Sequence, residues 1–115
     1  MTLKLSPQQA AALFNLYNNF VLLGAPDGLQ ERLLQVHMIG IYKKFRNQWE
    51  GRTRKTYSLN VTEAEALAYW LYWQQTDLTG WLYEHSFIIN HVQQIDRELN
   101  TRQYTELGQI KLLKQ

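Results

Sequence analysis

Two ten-residue stretches, LKLSPQQAAA at 3–12 and LNVTEAEALA at 59–68, repeat one pattern at an offset of 56. Each begins with apolar residues alternating with polar ones, the signature of a short strand with one buried side. Each then places a hydroxyl, Ser6 or Thr62, three residues ahead of Gln9 or Glu65. That spacing is a capping box. The hydroxyl accepts from the backbone N–H three residues on, and the Gln or Glu side chain reaches back to the cap. Pro7 adds a second start signal, because the first helical position has no use for its missing N–H. A shorter match, LQE at 29–31 and LYE at 82–84, follows at an offset of 53. The chain thus reads as strand, capped helix, turn and helix, twice over, a pattern consistent with internal duplication.

Helical periodicity fills in this frame. Leu13, Leu16, Tyr17, Phe20 and Leu23 stripe the first helix, and Gly24-Ala25-Pro26-Asp27-Gly28 ends it. Asp27 is the expected cap of the second helix, whose stripe is Leu34, Met38, Ile41, Phe45 and Trp49. Thr76-Asp77-Leu78-Thr79-Gly80 is a second turn. Trp81, His85, Ile88, Val92, Ile95 and Leu99 then alternate spacings of four and three, an a/d seam. The expected fold is mainly α: a single-domain four-helix bundle of two hairpins, 6–49 and 62–103. They are joined by a basic linker at 50–58, with a minor two-stranded β ribbon from residues 2–5 and 57–61. Residues 104–115, ending in IKLLKQ, read as a tail that forms an extra strand, a short helix or a frayed end.

Composition excludes several classes. With 45% hydrophobic and 19% charged residues, the chain has too much apolar content and too little charge for disorder. It has no cysteine, which removes disulfide frameworks and thiolate catalysis and fits a reducing compartment. Lys4 followed by apolar residues 10–23 imitates an export signal, but Asn15, Asn18 and Asn19 interrupt it, so the segment reads as a folded helix. The longest unbroken apolar run, 66–73, is far short of the ~20 residues of a membrane span. The expected location is the cytoplasm, with no membrane partner.

Two features point outward. In ALAYWLYWQQ (66–75), Ala64, Leu67, Ala68 and Leu71 make an adequate core face. Tyr69 and Trp73 lie opposite, with Trp70 and Tyr72 on the flanks. Either the third helix is buried all round or these four rings form an interface, for which a homodimer is the commonest solution. The second feature is a cluster of cations: Lys43, Lys44, Arg46, Arg52, Arg54 and Lys55 face a single acid, Glu50, within residues 43–55 of a chain with net charge +2. Cations suit a helix C-terminus, which covers the first three. Arg52, Arg54 and Lys55 lie beyond the dipole, where they suit an acidic protein partner or nucleic-acid phosphates.

Catalytic and metal motifs are missing from the sequence. There is no H-E-x-x-H, E-x-x-H, G-x-S-x-G or phosphate-binding glycine loop. His85 sits on the seam as the expected core histidine, with His91 about 120° away. Gly40, which costs ~1 kcal/mol in mid-helix, is expected to admit a close helix crossing or a large ring such as Trp70 or Trp81. The function expected is a non-enzymatic protein–protein interaction domain without cofactor or metal, self-associating through the aromatic helix surface. The alternative is a small nucleic-acid-binding protein using the 43–55 cations.

Overall fold

The computed structural model describes the backbone of residues 1–114 and the side chains of residues 1–99. It is mainly helical with a small antiparallel sheet. The order is β1 (Thr2–Leu5), α1 (Pro7–Leu16), one π-helical turn (Tyr17–Val21), α2 (Leu29–Glu50), β2 (Tyr57–Asn60), α3 (Glu63–Gln75) and α4 (Leu82–Lys114). α4 runs on through the expected tail at 104–115 as far as Lys114, so the helix does not end near 103; side chains from residue 100 onward, and Gln115 altogether, lie outside the described set.

Both capping boxes are formed. Ser6 accepts from the Gln9 N–H while Gln9 accepts from the Ser6 N–H, and Thr62 and Glu65 repeat the exchange. α2 starts differently. Gly28, at φ 96°, occupies the cap position without a side-chain bond. Asp27 instead donates its own N–H to Glu31 Oε2 at 2.6 Å, so the first-turn carboxylate steadies the loop and the expected Asp27 cap does not form.

The ribbon pairs Leu3 with Leu59, flanked by Thr2–Asn60, Lys4–Ser58 and Leu5–Tyr57. Leu3 and Leu59 are equivalent positions of the two repeated stretches, so a local two-fold axis passes through that pair. The Val61 N–H bond to Met1 O continues the ladder. Leu3, Leu5, Tyr57, Leu59 and Val61 point into the core, as period-two alternation requires. The intervening residues turn their backbone groups outward, and helix side chains meet them. On the β1 edge, α4 supplies Gln94 to Thr2 O and His91 to Lys4 O, both at 2.9 Å. On the β2 edge, α2 supplies Gln48, which bonds both N–H and C=O of Ser58, and Lys44, which reaches Asn60 O. The halves therefore interlock: the second helix of the first half closes the second strand, and the converse.

The π turn explains a shift in α1's stripe. Its wider turn advances each residue by less than the 100° of an α-helix. Val21 is thereby kept in the core, while Leu23 turns out to solvent. In α4 the seam is rotated as well. Ile88, Ile95 and Leu99 are buried as expected, but Phe87 and His91 join them and His85 is exposed.

If the ribbon is a wall of the core, Leu3→Ala should lower unfolding free energy by about 2–5 kcal/mol, whereas Lys4→Ala, whose side chain is exposed, should stay within ~0.5 kcal/mol. Urea titrations of the two variants decide this; equal effects would remove the ribbon from the core.

Candidate functional site

α3 shows which face of its aromatic run is inward. Glu65, Tyr69 and Trp73, spaced by four, are buried, with Tyr69 at 0% and Trp73 at 4% exposure. Trp70 and Tyr72 are half-buried against the core. Of the expected core face, Ala68 is buried, but Ala64, Leu67 and Leu71 are exposed. The assignment of faces is thus corrected: the rings at 69 and 73 are core residues and cannot serve as an open patch. The reason is area. Each aromatic ring buries roughly 150–250 Å², more than a leucine, and Tyr69 and Trp73 find aromatic partners inside. Trp73 meets Tyr17, Tyr69 and Tyr72 edge-on, with ring centroids 6.1, 6.1 and 5.0 Å away.

Glu65 enters the core for a different reason. Its Oε1 accepts from the Thr62 N–H at 2.9 Å and from Lys44 Nζ at 2.6 Å. Oε2 lies 3.2 Å from where a Cβ on Gly40 would stand. Gly40 therefore makes room for this carboxylate, and not for Trp70 or Trp81. Burial pushes the Glu65 carboxyl up, but the Lys44 bond, the Thr62 amide and the Lys44 charge outweigh it and hold it below the usual range.

His91 takes the role expected of His85. Its Nε2 lies 2.9 Å from Lys4 O, which can only accept, so Nε2 carries the proton. Nδ1 then accepts from the Tyr69 hydroxyl at 2.9 Å. Desolvation pulls the His91 pKa below its ordinary value, and the Lys4 bond offsets this only in part. Two polar atoms nearby have no partner among the described residues: the buried Tyr17 hydroxyl and the Trp73 indole N–H. Burial raises the Tyr17 pKa well above its ordinary value and raises that of Tyr69 too.

The six cations divide into two groups. Lys44 is held by Glu65, and Arg46 pairs with Glu50 at 2.7 Å. Lys43, Arg52, Arg54 and Lys55 are exposed, and none makes an ion pair with a described carboxylate. The loop that carries three of them is pinned. Gln48 clamps Ser58, the Gly51 N–H reaches Gln48 O at 3.3 Å, and the Arg54 N–H reaches the Tyr57 hydroxyl at 3.4 Å. Trp49 rests on Phe14 and Tyr57 with its rim open, at 38% exposure.

One surface escaped the sequence reading. Leu29, Leu33 and Val36 recur at spacings of four and three on the side of α2 away from Met38, Ile41 and Phe45, and are 85%, 61% and 60% exposed. Gly40 falls on the same side of α2 and meets Glu65 of α3, and on α3 itself Leu67 and Leu71 are exposed. The signal was legible as a second apolar stripe on a helix that already had one. A cleft of about 260 Å³ opens beside it, walled by Leu34, Gln35, Tyr72 and Gln75; His85 does not line it. Among the described residues no group of three His, Asp or Glu is placed to hold a metal, and no helix is long and apolar enough to cross a membrane.

Two outcomes follow from the polar groups. Tyr17→Phe deletes an unsatisfied hydroxyl and should raise stability by about 1 kcal/mol, whereas Tyr69→Phe orphans His91 Nδ1 and should lower it by about 1–3 kcal/mol; reversal of either sign in urea unfolding would show a different bonding pattern. A depressed folded pKa at His91 means that its stabilising contribution is complete above the unfolded value of 6.5 and lost as pH falls from there through the folded value. The urea midpoint should therefore fall on acidification below pH 6.5, and His91→Gln should flatten that slope. Glu65 should add a second fall below its ordinary value of 4.5. No protein-family model, curated protein or solved structure matches this chain.

Proposed function

We propose that the protein is a non-enzymatic interaction domain that self-associates through the outer face of α2 and α3. The observation that carries this reading is the exposed Leu29–Leu33–Val36 stripe on α2, with Leu67 and Leu71 exposed on α3. Each of these side chains is at least 37% exposed, and three of them recur on one helix face, unlike the singly scattered apolar residues normal on a monomer. An interface of this size belongs to the weak and reversible end of specific interfaces. A helical stripe paired with its own copy about a two-fold axis satisfies both copies with one surface.

The chemistry of the clefts agrees with a binding role. His91, which lines the groove between β1 and α4, has both ring nitrogens engaged in structural bonds. Neither serves as a free base.

Light scattering over a concentration series tests the proposal. The protein should pass from monomer to dimer as concentration rises, and Leu33→Gln with Val36→Gln should shift that transition at least tenfold upward while leaving the circular dichroism spectrum intact. A monomer at every concentration, or a dimer indifferent to both substitutions, would exclude this surface.

A further inference from the structure

We infer that the loop 51–56, together with Trp49, is a contact surface for single-stranded nucleic acid. This rests on observations separate from the apolar face. Of the six cations in the basic segment, the fold uses two, Lys44 and Arg46, for internal pairing. The other four are exposed and unneutralised. Three of these, Arg52, Arg54 and Lys55, sit on one loop with Thr53 and Thr56, whose side chains are also exposed. Every residue of that loop after Gly51 thus carries a side-chain donor of the kind that contacts phosphate oxygens.

The loop is also held in shape. Its stem is closed by the Gln48 clamp on Ser58, and its middle is fixed by the Arg54 N–H bond to Tyr57. Ordered donors contact a backbone with less entropy to lose than a free tail. The exposed rim of Trp49 lies at the stem, with Tyr57 behind it at a centroid distance of 5.4 Å. An acidic protein would use the cations alone. A ring beside a basic track is what stacks unpaired bases, and a duplex offers none for it.

Fluorescence anisotropy with a labelled oligothymidylate of about 15 nucleotides across a salt series is the test. Three phosphate contacts, from Arg52, Arg54 and Lys55, predict a slope of log affinity against log salt near −2.1, at about −0.7 per contact. The variant carrying Arg52→Gln, Arg54→Gln and Lys55→Gln should lose most of that slope. Arg32→Gln removes a charge about 27 Å away along α2, more than three Debye lengths at physiological salt, and should leave the slope unchanged. Trp49→Leu should weaken binding about tenfold. If that variant does not fold, the salt slopes of the loop variant still decide the matter, because its side chains are exposed. Absence of binding at low salt, or an unchanged slope in the loop variant, overturns the inference. So does polyglutamate of matched charge competing as well as the oligonucleotide, which would mark the surface as one for acidic protein. Equal affinity for duplex would remove the role given to Trp49.

Discussion

A two-stranded ribbon has two open edges and no interior strand, so each backbone group facing outward needs a partner from elsewhere. Here those partners are helix side chains: Gln94 and His91 along β1, Gln48 and Lys44 along β2. An isolated two-stranded ribbon is marginal in water, and open edges invite pairing with other chains. Meeting the edges with α2 and α4 solves both problems and fixes where those helices lie. Their positions then decide which face of α3 is enclosed between them, and so which aromatic rings enter the core.

The same contacts account for the polar groups inside. Lys44 bonds the ribbon and Glu65 at once. Glu65 ties the start of α3 to α2 through the space left by Gly40. His91 joins β1 to Tyr69 in the middle of α3. β1, β2, α2, α3 and α4 are thus each bonded to at least one other element by a directional contact as well as by packing, while α1 is held by its buried apolar face. Apolar burial alone tolerates several arrangements of four helices, whereas fully paired polar bonds favour one. The unpaired Tyr17 hydroxyl and Trp73 N–H stand at the centre of the aromatic cluster, where ring packing outweighs their cost.

Much of this was legible in the residues. Both capping boxes, both turns, the ribbon and the four helices follow from local patterns with strong physical causes, and they appear where those patterns place them. The errors arose one level up. The α3 core face was assigned by counting leucines and alanines, while the fold weighs ring area and partner availability, so Tyr69 and Trp73 went inward and Leu67 and Leu71 outward. His85 was placed in the core on heptad spacing, but the exchange of His91 with Lys4 O and Tyr69 is a long-range bond that no local period encodes. Chain position divides the six cations into three on α2 and three beyond it, and the long-range Lys44–Glu65 pair redraws that division. The Leu29–Leu33–Val36 stripe was hidden because α2 carries a stronger apolar stripe on its other side.

The interlocking of the two halves also bears on how the chain reaches this state. β1 is made before every other element of this fold, yet its pairing strand begins at Tyr57 and the side chains that meet its outer edge are His91 and Gln94. This early strand is therefore among the last elements to be satisfied. Until then its buried leucines and unpaired backbone stay exposed to whatever else is nearby. Domains with such distant contacts fold more slowly than bundles built from neighbours. The small sheet, the least of the elements by size, sets the moment at which the whole chain can close.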